Sequence, residues 1–80
     1  MEIKVFGPGC TRCAEAEGVA RQAAAQAGGD ITVNKETDFR AIMAARIIST
    51  PAVMIDGNIK CTGRVPSIEE VTQWIEEAKS

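Results

Sequence analysis

From Thr11 to Ala27 the chain runs seventeen residues without a proline, with alanine its commonest residue. That composition specifies helix more strongly than any other segment of the sequence. Gly28-Gly29 ends the run, as glycine after a helix usually does. Read at three- and four-residue steps, Cys13, Ala16, Ala20, Ala23 and Ala27 form one stripe, the face such a helix buries. Side chains this small let a helix lie close on a sheet. A chain of 80 residues needs that economy, because it can bury only about 60–65% of its unfolded surface.

Strand signals lie on both sides. Glu2 to Phe6 alternates polar and apolar residues before the Gly7-Pro8-Gly9 break, and Ile31 to Asn34 is a short second strand. Thr37 or Asp38 can cap a second helix carrying Phe39, Ile42, Met43 and Ile47 at helical spacing, which must stop before Pro51. Ala52 to Ile55 reads as a third strand, joined through Asp56-Gly57-Asn58 to a fourth at Ile59 to Thr62. Ser67-Ile68-Glu69-Glu70 is a capping box that opens a last helix, with Ile68, Val71, Trp74, Ile75 and Ala78 on its apolar face. The order β-α-β-α-β-β-α predicts one α/β domain over residues 1–80. Its mixed four-stranded sheet carries helices on both faces.

Nine basic and eleven acidic residues leave a net charge of −2, which argues against a nucleic-acid partner. No apolar run approaches the roughly 20 residues that span a bilayer. The opening MEIKVF lacks the basic and apolar regions of a secretory leader, so the expected compartment is the cytoplasm. There a C-x-x-C pair is reactive or metal-binding more often than a permanent staple.

Cys10 and Cys13 form such a pair, at the turn from the first strand into the first helix. The spacing alone fits a reversible disulfide or a metal clamp. A helix N-terminus offers unsatisfied N–H groups and partial positive charge, which favour a thiolate at Cys10 below its free pKa of about 8.5. Arg12 adds a screened cation. Cys13 falls on the apolar stripe and is the less accessible sulfur. The asymmetry suggests Cys10 as nucleophile and Cys13 as resolving thiol. Pro51 stands at the start of a core strand, a place that calls for a reason; the pattern alone leaves the Thr50–Pro51 bond with the ordinary trans expectation.

Strand, C-x-x-C, helix, then Thr50-Pro51 before a strand, a D-G hairpin, Gly63 and a final helix together resemble the thioredoxin-fold superfamily over the whole chain. The stretch TPAVMIDGNIKCTGRVPSIEEV is similar to the small glutaredoxin-like, redox-active disulfide proteins of bacteria and archaea. The resemblance implies a thiol–disulfide oxidoreductase without a bound cofactor. It would act on disulfide-containing proteins and be re-reduced by a separate reductase of the thioredoxin-reductase kind. It also implies a cis peptide at Thr50–Pro51, a substrate groove bordered by Thr50, Pro51 and Gly63, and Cys10 and Cys13 as the reacting pair. Departures lie at Gly9, where a tryptophan is usual, and at Thr11-Arg12, where Gly-Pro is usual; these three residues are candidate modulators. Lys4 stands where thioredoxins carry a buried acid. Gly63-Arg64-Val65-Pro66 lacks the glutathione-holding pattern of glutaredoxins.

The alternative is a soft-metal carrier of the Cu(I) type using the same two cysteines. Heavy-metal-associated domains end on a strand, however, and this sequence ends on a capped helix. With three cysteines and no histidine, one chain cannot supply four zinc ligands of those types, so no metal site is assigned. Cys61 is expected as a core residue sharing a strand face with Ile59; a third thiol beside the groove is its other reading. Arg12 and Arg64 are candidate cations for an acidic partner around the groove.

Overall fold

The computed structural model describes residues 1–9 and 11–79; Cys10 and Ser80 lie outside the described residues. Strand β1 (Glu2–Phe6) leads through α1 (Thr11–Ala27) to β2 (Thr32–Glu36), and then through α2 (Phe39–Ala44) to β3 (Ala52–Ile55). β4 (Asn58–Thr62) and α3 (Ile68–Lys79) complete the order. The sheet runs β2-β1-β3-β4, with β1 parallel to β2 and antiparallel to β3, and β3 antiparallel to β4. This is the mixed α/β sheet that the order of elements predicts.

The alternation in β1 sends its side chains to two cores. Ile3 and Val5 meet Ala16, Ala20 and Ala23 of α1, Val53 and Ile55 of β3, and Val71 and Ile75 of α3. Phe6 points to the other face and packs with Ile42, Ile47 and Ala52. Ala16, Ala20 and Ala23 have no exposed surface, so α1 sits on the sheet with little side chain between the two backbones. Ala27 is only partly buried and Ala78 is exposed, so both helical stripes fade toward their C-terminal ends.

Three features differ in ways that matter from the sequence expectation. β2 runs to Glu36 because it pairs with all five residues of β1, from Glu2↔Thr32 to Phe6↔Glu36. The partner's length, not the apolar run, sets its end. In β4, Val53 opposes Cys61 while Met54 opposes Ile59. One step on β3 thus spans two residues on β4, a bulge at Lys60 that separates the faces of Cys61 and Ile59. Cys61 enters the core at 8% exposure and Ile59 stays 42% exposed, so the expected shared face is not formed.

The third difference is α2, which is only six residues long. The carboxylate of Asp38 caps it by accepting from the Arg40 N–H at 2.9 Å. Its other end closes with Arg46 N–H to Met43 O at 2.9 Å and Ile47 N–H to Ile42 O at 3.2 Å. With Ala45 as C-cap, that pair of bonds is a Schellman stop, and the Ile42–Ile47 contact is its usual hydrophobic clasp. The residue at its left-handed position is Arg46, at φ 63, where glycine is favoured because a side chain costs about 1 kcal/mol.

At the start of α3 the capping box is closed in both directions. The Glu70 N–H donates to Ser67 Oγ at 3.1 Å, and the Ser67 N–H donates to Glu70 Oε1 at 3.0 Å. In urea unfolding, Ser67→Ala is expected to lower stability by about 1 kcal/mol. Arg46→Gly is expected to raise it by about 0.5–1 kcal/mol, because relief of the left-handed strain outweighs the added freedom of the unfolded chain.

Candidate functional site

The sheet register brings three chain turns to one edge. Phe6 pairs with Ala52 and Ala52 with Thr62, so the next residues outward are Gly7, Pro51 and Gly63. The row is still hydrogen bonded: Gly7 N–H donates to Glu36 O, and Gly63 N–H donates to Pro51 O, both at 2.9 Å. Beyond this row lie the turn leading to α1, the Ser49-Thr50-Pro51 turn and the turn into α3. These are the turns on which Cys13, Thr50, Pro51 and Gly63 were singled out.

Cys13 is 1% exposed in the first turn of α1, on the buried stripe where its spacing puts it. What admits it is Gly7. A methyl group at Gly7 would collide with Cys13 Sγ and stand 2.8 Å from Cys13 Cβ, closer than non-bonded carbons come. Gly7 is the positioning residue that sequence reasoning missed; it read the glycine only as part of a chain break. Cys10, the expected nucleophile, lies outside the described residues. Of the candidate modulators, Gly9 has φ 95, a left-handed turn position suited to glycine, and Thr11 and Arg12 are exposed on α1.

The Thr50–Pro51 peptide is cis. Pro51 is buried and Thr50 half-buried, and among the described residues the Thr50 N–H and C=O are in no hydrogen bond. Gly63 has φ 76, and a Cβ there would press on Ser49 Cβ at 3.1 Å. The glycine therefore lets the β4–α3 turn lie against the turn that holds the proline.

Two cations near this edge have defined places in the fold. Arg64 is bound through both terminal guanidinium nitrogens to Glu70, at 2.8 and 2.7 Å, and so braces α3. That clamp, then the Ser67 backbone, holds the Glu70 carboxyl down at about 2 from its usual 4.5. Lys4, half-buried on β1, lies over the Phe6 ring with its nitrogen 5.9 Å from the centroid. The position where the resemblance expects an acid is thus filled by a cation on the α2 side of the sheet.

Cys61 belongs to the larger core, with its Sγ donating to the Arg64 carbonyl at 4.0 Å. Burial pushes its thiol up, against the opposing field of the Arg64 guanidinium. Among the described residues no group of three His, Cys, Asp or Glu side chains could hold a metal ion. No described helix is long and apolar enough to cross a membrane.

Next to Thr50 an apolar groove of about 350 Å³ opens between Pro8 and α2. Ile42 and Ile47 form its buried floor, and Phe39, Met43 and Ile48 stand exposed along it. Phe39 and Met43 share helical spacing with Ile42, yet the structure leaves both exposed, because α2 is short and only its Ile42 side meets the sheet.

A buried sulfur at a helix start, with a cis-proline turn and a glycine turn at the same edge of the sheet, fits the thioredoxin-like class of thiol–disulfide oxidoreductases. The comparisons agree. A family model described as "Thioredoxin domain" matches residues 1–76. A protein named thioredoxin from Methanothermobacter thermautotrophicus is 35% identical over 71 residues, covering 89% of this chain and 92% of its own. Another of that name, from Methanocaldococcus jannaschii, is 36% identical over 78 residues, covering 98% of this chain and 86% of its own. The chain belongs to the thioredoxin family.

Three outcomes follow from this geometry. Gly7→Ala is expected to cost about 1–3 kcal/mol in urea unfolding, the usual range for overpacking a filled site. Cys61 should react with iodoacetamide near neutral pH only slowly in the folded protein and rapidly once urea unfolds it. Because the Glu70 pKa is depressed in the folded state, its contribution to stability is full above its usual 4.5 and lost as pH falls toward about 2. Acid unfolding of Glu70→Gln should lack that component.

Proposed function

We propose that the chain reduces disulfides in protein substrates by a two-thiol exchange, with Cys10 as nucleophile and Cys13 as resolving thiol. Cys10 stands in sequence directly before the first residue of α1, where the helix N-terminus favours the thiolate. The Cys10 thiolate attacks one substrate sulfur, breaking the substrate disulfide and releasing its other sulfur as a thiolate. Cys13 then loses its proton and attacks the Cys10 sulfur. The intermolecular bond breaks, a Cys10–Cys13 disulfide forms, and the second substrate thiolate leaves. Two electrons pass to the substrate, and solvent supplies the protons that neutralise its thiolates.

The observation that carries this reading is the position of Cys13. It is buried against Gly7 in the first turn of α1, at the sheet edge shared with Pro51 and Gly63. A sulfur sheltered from solvent there suits reaction with Cys10, which stands three residues earlier in the sequence across the intervening Thr11-Arg12. The Thr50 N–H and C=O, in no hydrogen bond among the described residues, are available to an extended substrate segment. Thr50, Pro51 and Gly63 thus border the substrate, and Gly9, Thr11 and Arg12 tune the thiols.

A separate reductase of the thioredoxin-reductase kind restores the dithiol, since the chain carries no nicotinamide or flavin fingerprint. We place the activity in the cytoplasm, in residues 1–80 acting as one unit.

With insulin as the disulfide substrate and dithiothreitol as reductant, Cys10→Ser is expected to abolish reduction above the uncatalysed background. Pre-reduced, desalted Cys13→Ser mixed with insulin in the absence of dithiothreitol is expected to accumulate a Cys10-linked mixed disulfide visible on a non-reducing gel. Full activity in Cys10→Ser would contradict the assignment. Tight Cu(I) binding by the reduced protein, with no reductase activity, would favour metal carriage.

A further inference from the structure

Gly7 is a glycine for reasons of space and not of conformation. Five of the seven glycines have positive φ, and Gly18 has open space where a Cβ would stand. Gly7 lies outside the left-handed region, so its backbone would accept alanine. What refuses the methyl is its overlap with Cys13 Sγ and its approach of 2.8 Å to Cys13 Cβ. The sulfur fills the place that a side chain at the end of β1 would take.

Neither backbone is placed to withdraw and make room. On the strand side, Phe6 is paired on both flanks, with Glu36 and Ala52, and the Gly7 N–H is bonded to Glu36 O at 2.9 Å. On the helix side, Ala16, Ala20 and Ala23 follow Cys13 with no exposed surface, in one core with Ile3 and Val5. Lifting α1 would open that core. A methyl at Gly7 is therefore relieved by the Cys13 side chain, which must turn out of its seat. Side chains sit in staggered wells, so a sulfur driven from one well is carried to another. Position governs an intramolecular attack steeply: misplacing a reacting group by about 1 Å can cost a hundredfold in rate.

We infer that Gly7 is a positioning residue for the second sulfur exchange: its missing side chain gives Cys13 Sγ the seat from which it attacks the Cys10 mixed disulfide. The inference rests on the disulfide-reductase reading. It assigns Gly7 to the resolving step and to the closure of the Cys10–Cys13 disulfide. The first attack, by Cys10 on the substrate, proceeds without it.

The test separates the two exchanges with one equivalent of 5,5′-dithiobis(2-nitrobenzoate), added to pre-reduced, desalted protein carrying Cys61→Ala. The Cys10 thiolate breaks the reagent disulfide, forms a mixed disulfide and releases one nitrothiobenzoate. Cys13 then loses its proton, attacks the Cys10 sulfur and releases the second. The Cys61→Ala parent is expected to release both, and Cys13→Ser in that parent only the first. Gly7→Ala should release the first within about twofold of the parental rate and the second about tenfold more slowly. In glutathione buffers its Cys10–Cys13 disulfide should form about three- to tenfold less readily, a potential raised by about 15–30 mV.

Overpacking that only lowers stability moves the urea midpoint and leaves both rates of the folded protein unchanged. An unchanged second release, or a first release slowed as much as the second, therefore overturns the inference and leaves the reductase reading standing. Release from the parent no faster than from Cys10→Ser overturns both. The contact itself is tested without activity by a double-mutant cycle. With Cys13→Ala present, Gly7→Ala should lower the urea midpoint by about half as much as it does beside the sulfur. An equal drop in the two backgrounds overturns the inference.

Discussion

Cys13 rests against a backbone that has no side chain at Gly7, and much of the molecule follows from that approach. A helix can come so near the end of β1 only if its buried stripe is small, which is why Ala16, Ala20 and Ala23 follow Cys13 along α1. The bulk missing from α1 is supplied from the sheet and from α3, by Ile3, Val5, Val53, Ile55, Val71 and Ile75. The thiol turn is thereby fixed to the most completely buried part of the fold. The other face is thinner, with a four-residue core under a short helix. That asymmetry gives the sheet one well-filled face and one face that carries an exposed apolar groove.

Electrostatics is arranged with similar economy. Glu70 closes the α3 cap and neutralises Arg64 in one constellation, which ties the turn after Gly63 to the helix behind it. Along α2 and the turn after it, Arg40 and Arg46 are in no ion pair among the described residues. Arg64 is thus engaged within the fold, while Arg40 and Arg46 are exposed to solvent. Surface pairs elsewhere, such as Glu17 with Arg21 and Lys35, contribute little to stability by comparison with the cores.

What the sequence made legible was local. The alanine stripe, the Asp56-Gly57 hairpin, the Ser67 capping box and the order of elements each rest on rules acting within a few residues, and each is present. What it hid was relational. Lys60 carries no mark of a bulge, because a bulge exists only against the partner strand. Phe39 and Met43 share a helical face with Ile42, but periodicity does not tell how far a neighbour covers that face. The end of α2 was obscured because Arg46 occupies the position where glycine would have announced a stop. Arg64 read as a groove cation because nothing in its vicinity shows that Glu70 reaches back to it. Of the site, Cys13, Pro51 and Gly63 were recognised as residue types in a pattern. Gly7 was missed because its importance is an approach distance, and only coordinates show one.

The central claim, that Cys10 and Cys13 are the working redox pair while Cys61 stands outside the chemistry, is tested most directly by a redox titration read by alkylation mapping. The protein is equilibrated in glutathione buffers of graded potential, unfolded in acid, alkylated under denaturant and analysed by peptide mass spectrometry. The expected result is a single two-electron transition in which Cys10 and Cys13 lose and regain their thiols together, with Cys61 alkylated throughout. A disulfide joining Cys61 to either of the others, or Cys10 and Cys13 titrating separately, would contradict it.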